Sequence, residues 1–142
     1  MEIMARRTQI IDALVDHLAQ NTDALPSNVT KRYAYLDEVN DFPAITLISR
    51  SESREQRGAG RKLALIEISV RGYIYDGSDA MGVAEQFAFS IESAIETFQD
   101  NFASLAVEEA RVAEVRTDEG LFQPYGIVDM QIQILYDVEI TT

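Results

Sequence analysis

His17 is the only histidine in the chain and cysteine is absent, so a metal centre or nucleophilic dyad would have to be built around one imidazole. Structural and catalytic zinc sites gather several histidines or thiolates at short spacing, and the neighbouring Asp16 and Gln20 supply neither. Serine catalysis would need the same imidazole and a nucleophile on a sharp strand-to-helix turn. No such motif is present, and His17 reads as a structural or surface histidine. GAG at 58–60 lacks the rest of a dinucleotide or phosphate-loop pattern. Asp76 and Asp79 with the Gly-Ser between them hold too few oxygens for a calcium loop. Both read as turns or loops. Glu108, Glu109 and Glu114 are the residue types of a general acid and base, yet nothing in their spacing sets them apart among 24 acidic residues. They read as a solvated acidic face or as part of an interface. A small hydrolytic or ligand-binding enzyme would need a concave site with perturbed carboxylates around His17 or Glu109. The residues offer no cofactor site.

A second kind of chemistry is electrostatic. The chain has 12 basic residues against 24 acidic ones, a formal net charge of -12, which offers no broad basic surface to phosphates. Yet SRSESREQRGAGRK, residues 49–62, holds Arg50, Arg54, Arg57, Arg61 and Lys62 against Glu52 and Glu55. With Gly58 and Gly60 for backbone freedom and no apolar spacing to anchor it, it reads as a basic loop, mobile in an isolated subunit. Its roles divide into a nucleic-acid arm, an active-site flap, a plain solvated hairpin and an arm reaching a neighbouring subunit. One short loop without interleaved aromatics makes few phosphate contacts, and a flap needs an active site. In a homo-oligomer the arginines would meet carboxylates such as Glu108, Glu109, Asp118 and Glu119 of the next subunit, which fixes register more than it adds affinity. A head-to-tail contact that closes makes a ring.

The elements that must position these residues follow from hydrophobic period. At 142 residues and 46% hydrophobic, with no Pro/Gly/Ser-rich linker, the economical reading is one domain, 1–142, able to bury a core. Absent cysteine suits a reducing compartment. No run approaches the roughly 20 apolar residues of a membrane span, and Asp12 and Asp16 spoil a signal peptide after Arg6 and Arg7. Ile10, Ile11, Leu14 and Leu18 mark a first helix, ended by NTDALPSN. VTKRYAYLDEV, 29–39, is either a short strand through Tyr33 and Tyr35 or an irregular crossing pinned by those rings. FPAITLIS (42–49) and LALIEISVRGYIY (63–75) read as strands, the second with Ala64, Ile66, Ile68, Val70 and Ile74 on one face. Ser78 reads as the N-cap of a helix over roughly 79–98, with Asp79 in its first turn. Its apolar stripe is Ala84, Phe87, Ala88, Ile91, Ala94, Ile95 and Phe98. A weaker element spans Val107 to Val115, and GIVDMQIQILYDVEI (126–140) is a strand with Val128, Met130, Ile132, Ile134, Tyr136 and Val138 on one side. The expected class is α+β: a mostly antiparallel sheet of about four strands with two helices packed on one face. The other face is polar but studded with Leu63, Leu65, Tyr73 and Leu135, so it is solvated or covered by another chain.

The opening helix with paired isoleucines, FPAITLIS, the long glycine-containing loop, IEISVRGYIYDGSDAMGVAEQFAFSIESAIE and the final GIVDMQIQILYDVEI together resemble the tail terminator (tail completion) proteins of long-tailed bacteriophages. Related neck proteins share much of the pattern. The resemblance covers nearly the whole chain and rests on element order, with no catalytic motif. It implies a non-enzymatic virion protein of the tail-neck region, assembled in the host cytoplasm. It implies a six-fold ring that caps the tail tube, ends its polymerisation and joins tail to head. The implied partners are further copies of the chain, the tail tube protein and a head-completion or neck protein, with DNA passing through the bore unbound. A head-closure or connector-neck component is the alternative within the same class. The acidic excess fits a channel that does not hold DNA. Residues 49–62 would be the loop directed at the tube or a neighbouring subunit.

Overall fold

Alternation along residues 61–75 decides the centre of the sheet, because Ala64, Ile66, Ile68, Val70 and Ile74 are all buried on one side of that strand. The computed structural model describes residues 6–24, 26–31, 38–57 and 61–138. In chain order they form helix α1 (Arg6–Asn21), strands β1 (Val29–Thr30), β2 (Ala44–Arg57) and β3 (Arg61–Tyr75), helix α2 (Ala80–Asn101), and strands β4 (Val107–Thr117) and β5 (Tyr125–Asp137). The strands make one five-stranded sheet in the order β1-β2-β3-β5-β4. β2–β3, β3–β5 and β4–β5 are antiparallel, whereas β1 is parallel to β2. The expected sheet of about four mostly antiparallel strands is therefore corrected to a mixed sheet of five. The added strand consists only of Val29↔Ile45 and Thr30↔Thr46, too short to leave a periodic signal. Tyr33 and Tyr35 lie outside the described residues.

Both helices join the apolar side of the sheet in one core. Ile10, Leu14 and Leu18 of α1 and the whole α2 stripe from Ala84 to Phe98 cluster with Ile45, Leu47, Ile66, Ile68, Met130, Ile132 and Ile134. Each large aliphatic buried in this way stabilises the fold by about 1.5–3 kcal/mol. The helix packs tightly on the sheet at Gly72, where a β-carbon would stand 2.9 Å from Cε2 of Phe87. A side chain there would hold the ring, and the helix with it, off the strand.

Three local expectations change. The N-cap of α2 is Asp79, whose Oδ1 accepts the Gly82 N–H at 3.1 Å. Asp76 explains the displacement, because its Oδ1 takes the N–H groups of Ser78 (2.8 Å) and Asp79 (3.0 Å) and folds Ser78 into a turn before the helix. α2 continues past Phe98 to Asn101, since no glycine or proline follows to stop it. On the far side of the sheet, Leu63, Tyr73 and Leu135 are already buried. In register, Ala44 and Ile127 stand beside Tyr73, and Asp137 beside Leu63.

Candidate functional site

The basic stretch is a continuation of the sheet, which corrects its reading as a loop. β2 runs on to Arg57, β3 begins at Arg61, and the ladder is continuous from Ser51↔Glu67 to Arg57↔Arg61. The sequence SESREQR has no apolar face, so hydrophobic period is silent there. Pairing with the strongly strand-forming LALIEI is what extends it. Gly58 and Gly60 lie outside the described residues. A register shift between Ser49 and Ser51 sets Arg50 in a bulge, and bulges re-aim the side chains that follow. After it, Glu52 stands opposite Ile66 and Arg54 opposite Ala64, on the helix side of the sheet.

Glu52 is consequently tucked under α1, with its side chain 8% exposed. It accepts the Tyr136 hydroxyl and pairs with the guanidiniums of Arg7 and Arg54, each at 2.8 Å. Burial pushes the carboxyl up, but the Tyr136 hydrogen bond and the two arginines outweigh it and hold Glu52 below the ordinary carboxylate value. Burial, then the hydrogen bond to Glu52 and its charge, push the Tyr136 hydroxyl up to about 12. Arg54, expected to reach another chain, is therefore engaged inside its own. Two guanidiniums share one carboxylate, so this corner keeps a net positive charge. Nothing in the local spacing announced the cluster. The available signal was Tyr136 itself, a hydroxyl at the end of an apolar stripe that must find a partner when buried.

The acidic candidates are split between the two ends of the sheet. The registers Val107↔Tyr136 and Leu63↔Asp137 put Glu108 and Glu109 at the hairpin end. Asp118 and Glu119 lie at the opposite end, in the β4–β5 turn. There Glu119 adopts a φ of 58° and Asp118 accepts the Gly120 N–H at 3.0 Å. Glu109 and Glu119 are exposed, as are Arg50 and Lys62. The backbones of Arg57 and Arg61 pair at the end of the ladder. Arg50 borders a polar groove on the outer face with Arg71, Glu114, Arg116 and Asp129. Arginines of that face have partners within it: Arg71 with Asp129 at 2.6 Å, Arg116 with Glu114 at 2.7 Å, and Arg111 with Gln133 at 2.8 Å.

The end away from the hairpin is aromatic. Phe42, Tyr75 and Tyr125 form a cluster with centroids 5.5 Å apart for Phe42–Tyr125 and 5.2 Å for Tyr75–Tyr125. Gln123 ties the β4–β5 turn to the start of α2, accepting the Ala80 N–H at 3.1 Å and donating to the Asp76 carbonyl at 3.3 Å. Around this joint Tyr75, Leu121, Phe122 and Met81 are 54%, 78%, 49% and 39% exposed. Leu121 and Phe122 escaped the sequence reading, although an apolar pair between DEG and QP is an unusual turn.

His17 is buried, as a structural histidine would be. Its Nε2–H points at the Ala94 carbonyl (2.7 Å) and Thr97 Oγ1 (3.0 Å), while Nδ1 accepts from the Asn21 amide at 3.2 Å. It stitches α1 to α2 between the rings of Phe98 and Phe102. Glu109 stands exposed on the edge strand, not in a concave site. Among the described residues no group of three His, Asp or Glu side chains could hold a metal ion, and no helix is long and apolar enough to cross a membrane.

A family of sequences described as Bacteriophage Tail Tube Terminator Protein matches residues 4–141. Among characterised relatives, the tail tube terminator protein p142 of Escherichia phage T5 is 23% identical over 152 residues, covering 94% of each chain. Among solved structures, a chain from the virion of a native gene transfer agent particle superposes with a TM-score of 0.54 at 10% identity. The match covers 94% of this chain and 92% of that one, and shows a shared fold.

Proposed function

Given that this chain belongs to the bacteriophage tail tube terminator family, and so is a structural protein of the virion, we propose that it acts without catalysis as a one-domain subunit of a ring, six-fold in the simplest case, that caps the tail tube. Capping ends tube polymerisation and presents the surface to which a head-completion or neck protein joins. DNA passes through the bore without being held. The observation that carries this reading is the family match over nearly the whole chain. The imidazole is consumed in helix packing, and Arg71, Arg111 and Arg116 of the outer face have partners within the sheet, which suits a surface that does not grip phosphate. The basic hairpin faces a neighbouring subunit with Arg57, Arg61 and Lys62 toward its tip and Arg50 at its base, while Arg54 stays with Glu52.

The test is deletion of the gene from the phage genome, with tail length measured by electron microscopy. Tails that grow past their normal length, corrected by supplying the protein, are the expected result. Tails of normal length that fail to join heads would assign the protein to the neck instead. An unchanged particle would overturn the structural role.

A further inference from the structure

We propose that the free chain forms a two-fold dimer in which the β4 strands of two copies pair antiparallel, edge to edge. β4 is an end strand of the sheet and pairs with β5 alone. Among the described residues no strand pairs with its other side. Such an edge presents a row of unmet N–H and C=O groups, a template for another strand. Arg111 and residues 113–116 are exposed along it, and Val115, 42% exposed, leaves apolar surface beside it. Charge identifies the occupant. The register with β5, shifted between Val112 and Glu114, puts Glu109, Arg111, Glu114 and Arg116 together on the outer face of the sheet.

Along the strand these four charges read minus, plus, minus, plus. Antiparallel pairing with an identical strand reverses that order, so one register sets every charge opposite its complement. In it Glu109 faces Arg116 of the second copy, Arg111 faces Glu114 of the second copy, and the two-fold axis repeats both pairs. The axis passes between Val112 and Ala113, so the extra residue in one strand is matched by the same residue in the other. On the helix side Ala110 lies beside Val115 of the second copy. A slip of two residues sets Glu109 against Glu114 in one direction and Arg111 against Arg116 in the other, and like charges directly opposite are destabilising. Backbone hydrogen bonds supply the affinity and the side chains fix the register. Within one subunit Arg111 has only the neutral Gln133 amide oxygen at 2.8 Å. The Glu114–Arg116 pair is 47% and 74% exposed, so both groups can take a second partner. The joint is isologous and closes on two copies. It is therefore distinct from the ring contact, which joins unlike surfaces, and it does not rest on the ring reading. Its effect is to withhold an open strand edge from unwanted pairing.

A charge exchange between two variants tests it. Arg111→Glu with Arg116→Glu makes all four charges acidic, and Glu109→Arg with Glu114→Arg makes all four basic. All four positions are exposed. Thermal unfolding checks that each variant folds, and analytical ultracentrifugation separates single chains, pairs and rings. Wild-type protein should show a two-copy species. Each variant alone should pair with itself about tenfold or more weakly, because like charges then stand opposite each other. An equimolar mixture should restore the pair, with one chain of each kind. Variants that pair as well as wild type overturn the proposal, and so does a mixture of folded variants that stays monomeric. Wild-type protein that assembles into rings with no two-copy species overturns it and leaves the ring reading intact. Wild-type protein that stays monomeric at every concentration overturns both. Where a variant fails to fold, hydrogen exchange of the wild type decides. Backbone amides of β4 should exchange more slowly as protein concentration passes through the dimer range, and exchange independent of concentration overturns the proposal.

Discussion

Glu52 and Tyr136 show how one carboxylate is kept beneath a helix. The folded carboxyl sits below its ordinary value, so its contribution to stability is present above the ordinary carboxylate range. That contribution is lost as pH falls through the lowered value. Tyr136 has the opposite sign. With its hydroxyl raised from 10.0 to about 12, its contribution is complete below the ordinary tyrosine value and disappears as pH climbs toward the raised one. Tyr136→Phe removes a hydrogen bond to a charged acceptor and should cost about 1.5–3 kcal/mol at neutral pH. Urea unfolding of both proteins checks this, and the gap should narrow in acid as Glu52 becomes neutral. A gap unchanged between neutral and strongly acidic buffer would show that the hydroxyl does not serve the carboxylate. Arg54→Glu sets a second carboxylate against Glu52 and should lower stability by about 1–2 kcal/mol, whereas the exposed Arg50→Glu should stay within about 0.5 kcal/mol. Equal unfolding midpoints for the two would refute the Glu52 pairing.

At the scale of elements, α2 lies on the sheet because two strands yield room for it. Gly126 is the stricter position: a β-carbon there would meet Ile74 Cδ1 at 2.8 Å and the Ala80 carbonyl oxygen at 3.0 Å. At Gly72 the closest atoms belong to the Phe87 ring, which can tilt, while the Ala80 carbonyl is fixed at the start of the helix. Gly126→Ala should therefore cost about 1–3 kcal/mol through overpacking, and more than Gly72→Ala. The ranking is read from the two unfolding midpoints, and the reverse order would count against this account of the packing. Ile91 and Ile132 are fully buried on the facing surfaces of α2 and β5, so alanine at either should cost about 2–5 kcal/mol. A loss below 1 kcal/mol at both would mean that α2 does not form the core.

At the scale of the whole molecule, the aromatic end of the sheet is acidic, with Asp76, Asp79, Asp118 and Glu119, whereas the hairpin end mixes Arg54 and Lys62 with Glu52, Glu108, Glu109 and Asp137. An assembly held by exposed charges at its joints should loosen as salt is added, since the screening length falls from about 10 Å at 0.1 M to about 3 Å at 1 M. The light-scattering mass at protein concentrations near the midpoint of assembly should fall over that range. A mass that rises with salt would indicate a joint made by apolar contact alone, with Leu121 and Phe122 as its first candidates.

The sequence by itself determined the helix stripes and the β3 and β5 alternation, while for His17 it left a structural and a surface role open. Stripes and alternation depend on the period with which apolar side chains recur, and the period is a property of the chain. Only the tertiary structure decided the rest. β1 exists because Val29 and Thr30 find the edge of β2. The basic stretch is strand because β3 pairs with it, although its own residues carry no apolar face. A single bulged residue, Arg50, turned Glu52 and Arg54 toward the helices, and the registers of β4 and β5 sent two pairs of acids, adjacent in type and in the linear reading, to opposite ends of the sheet. Register is set by pairing between distant segments, and a shift of one residue exchanges the faces of everything beyond it. No local pattern can contain that information.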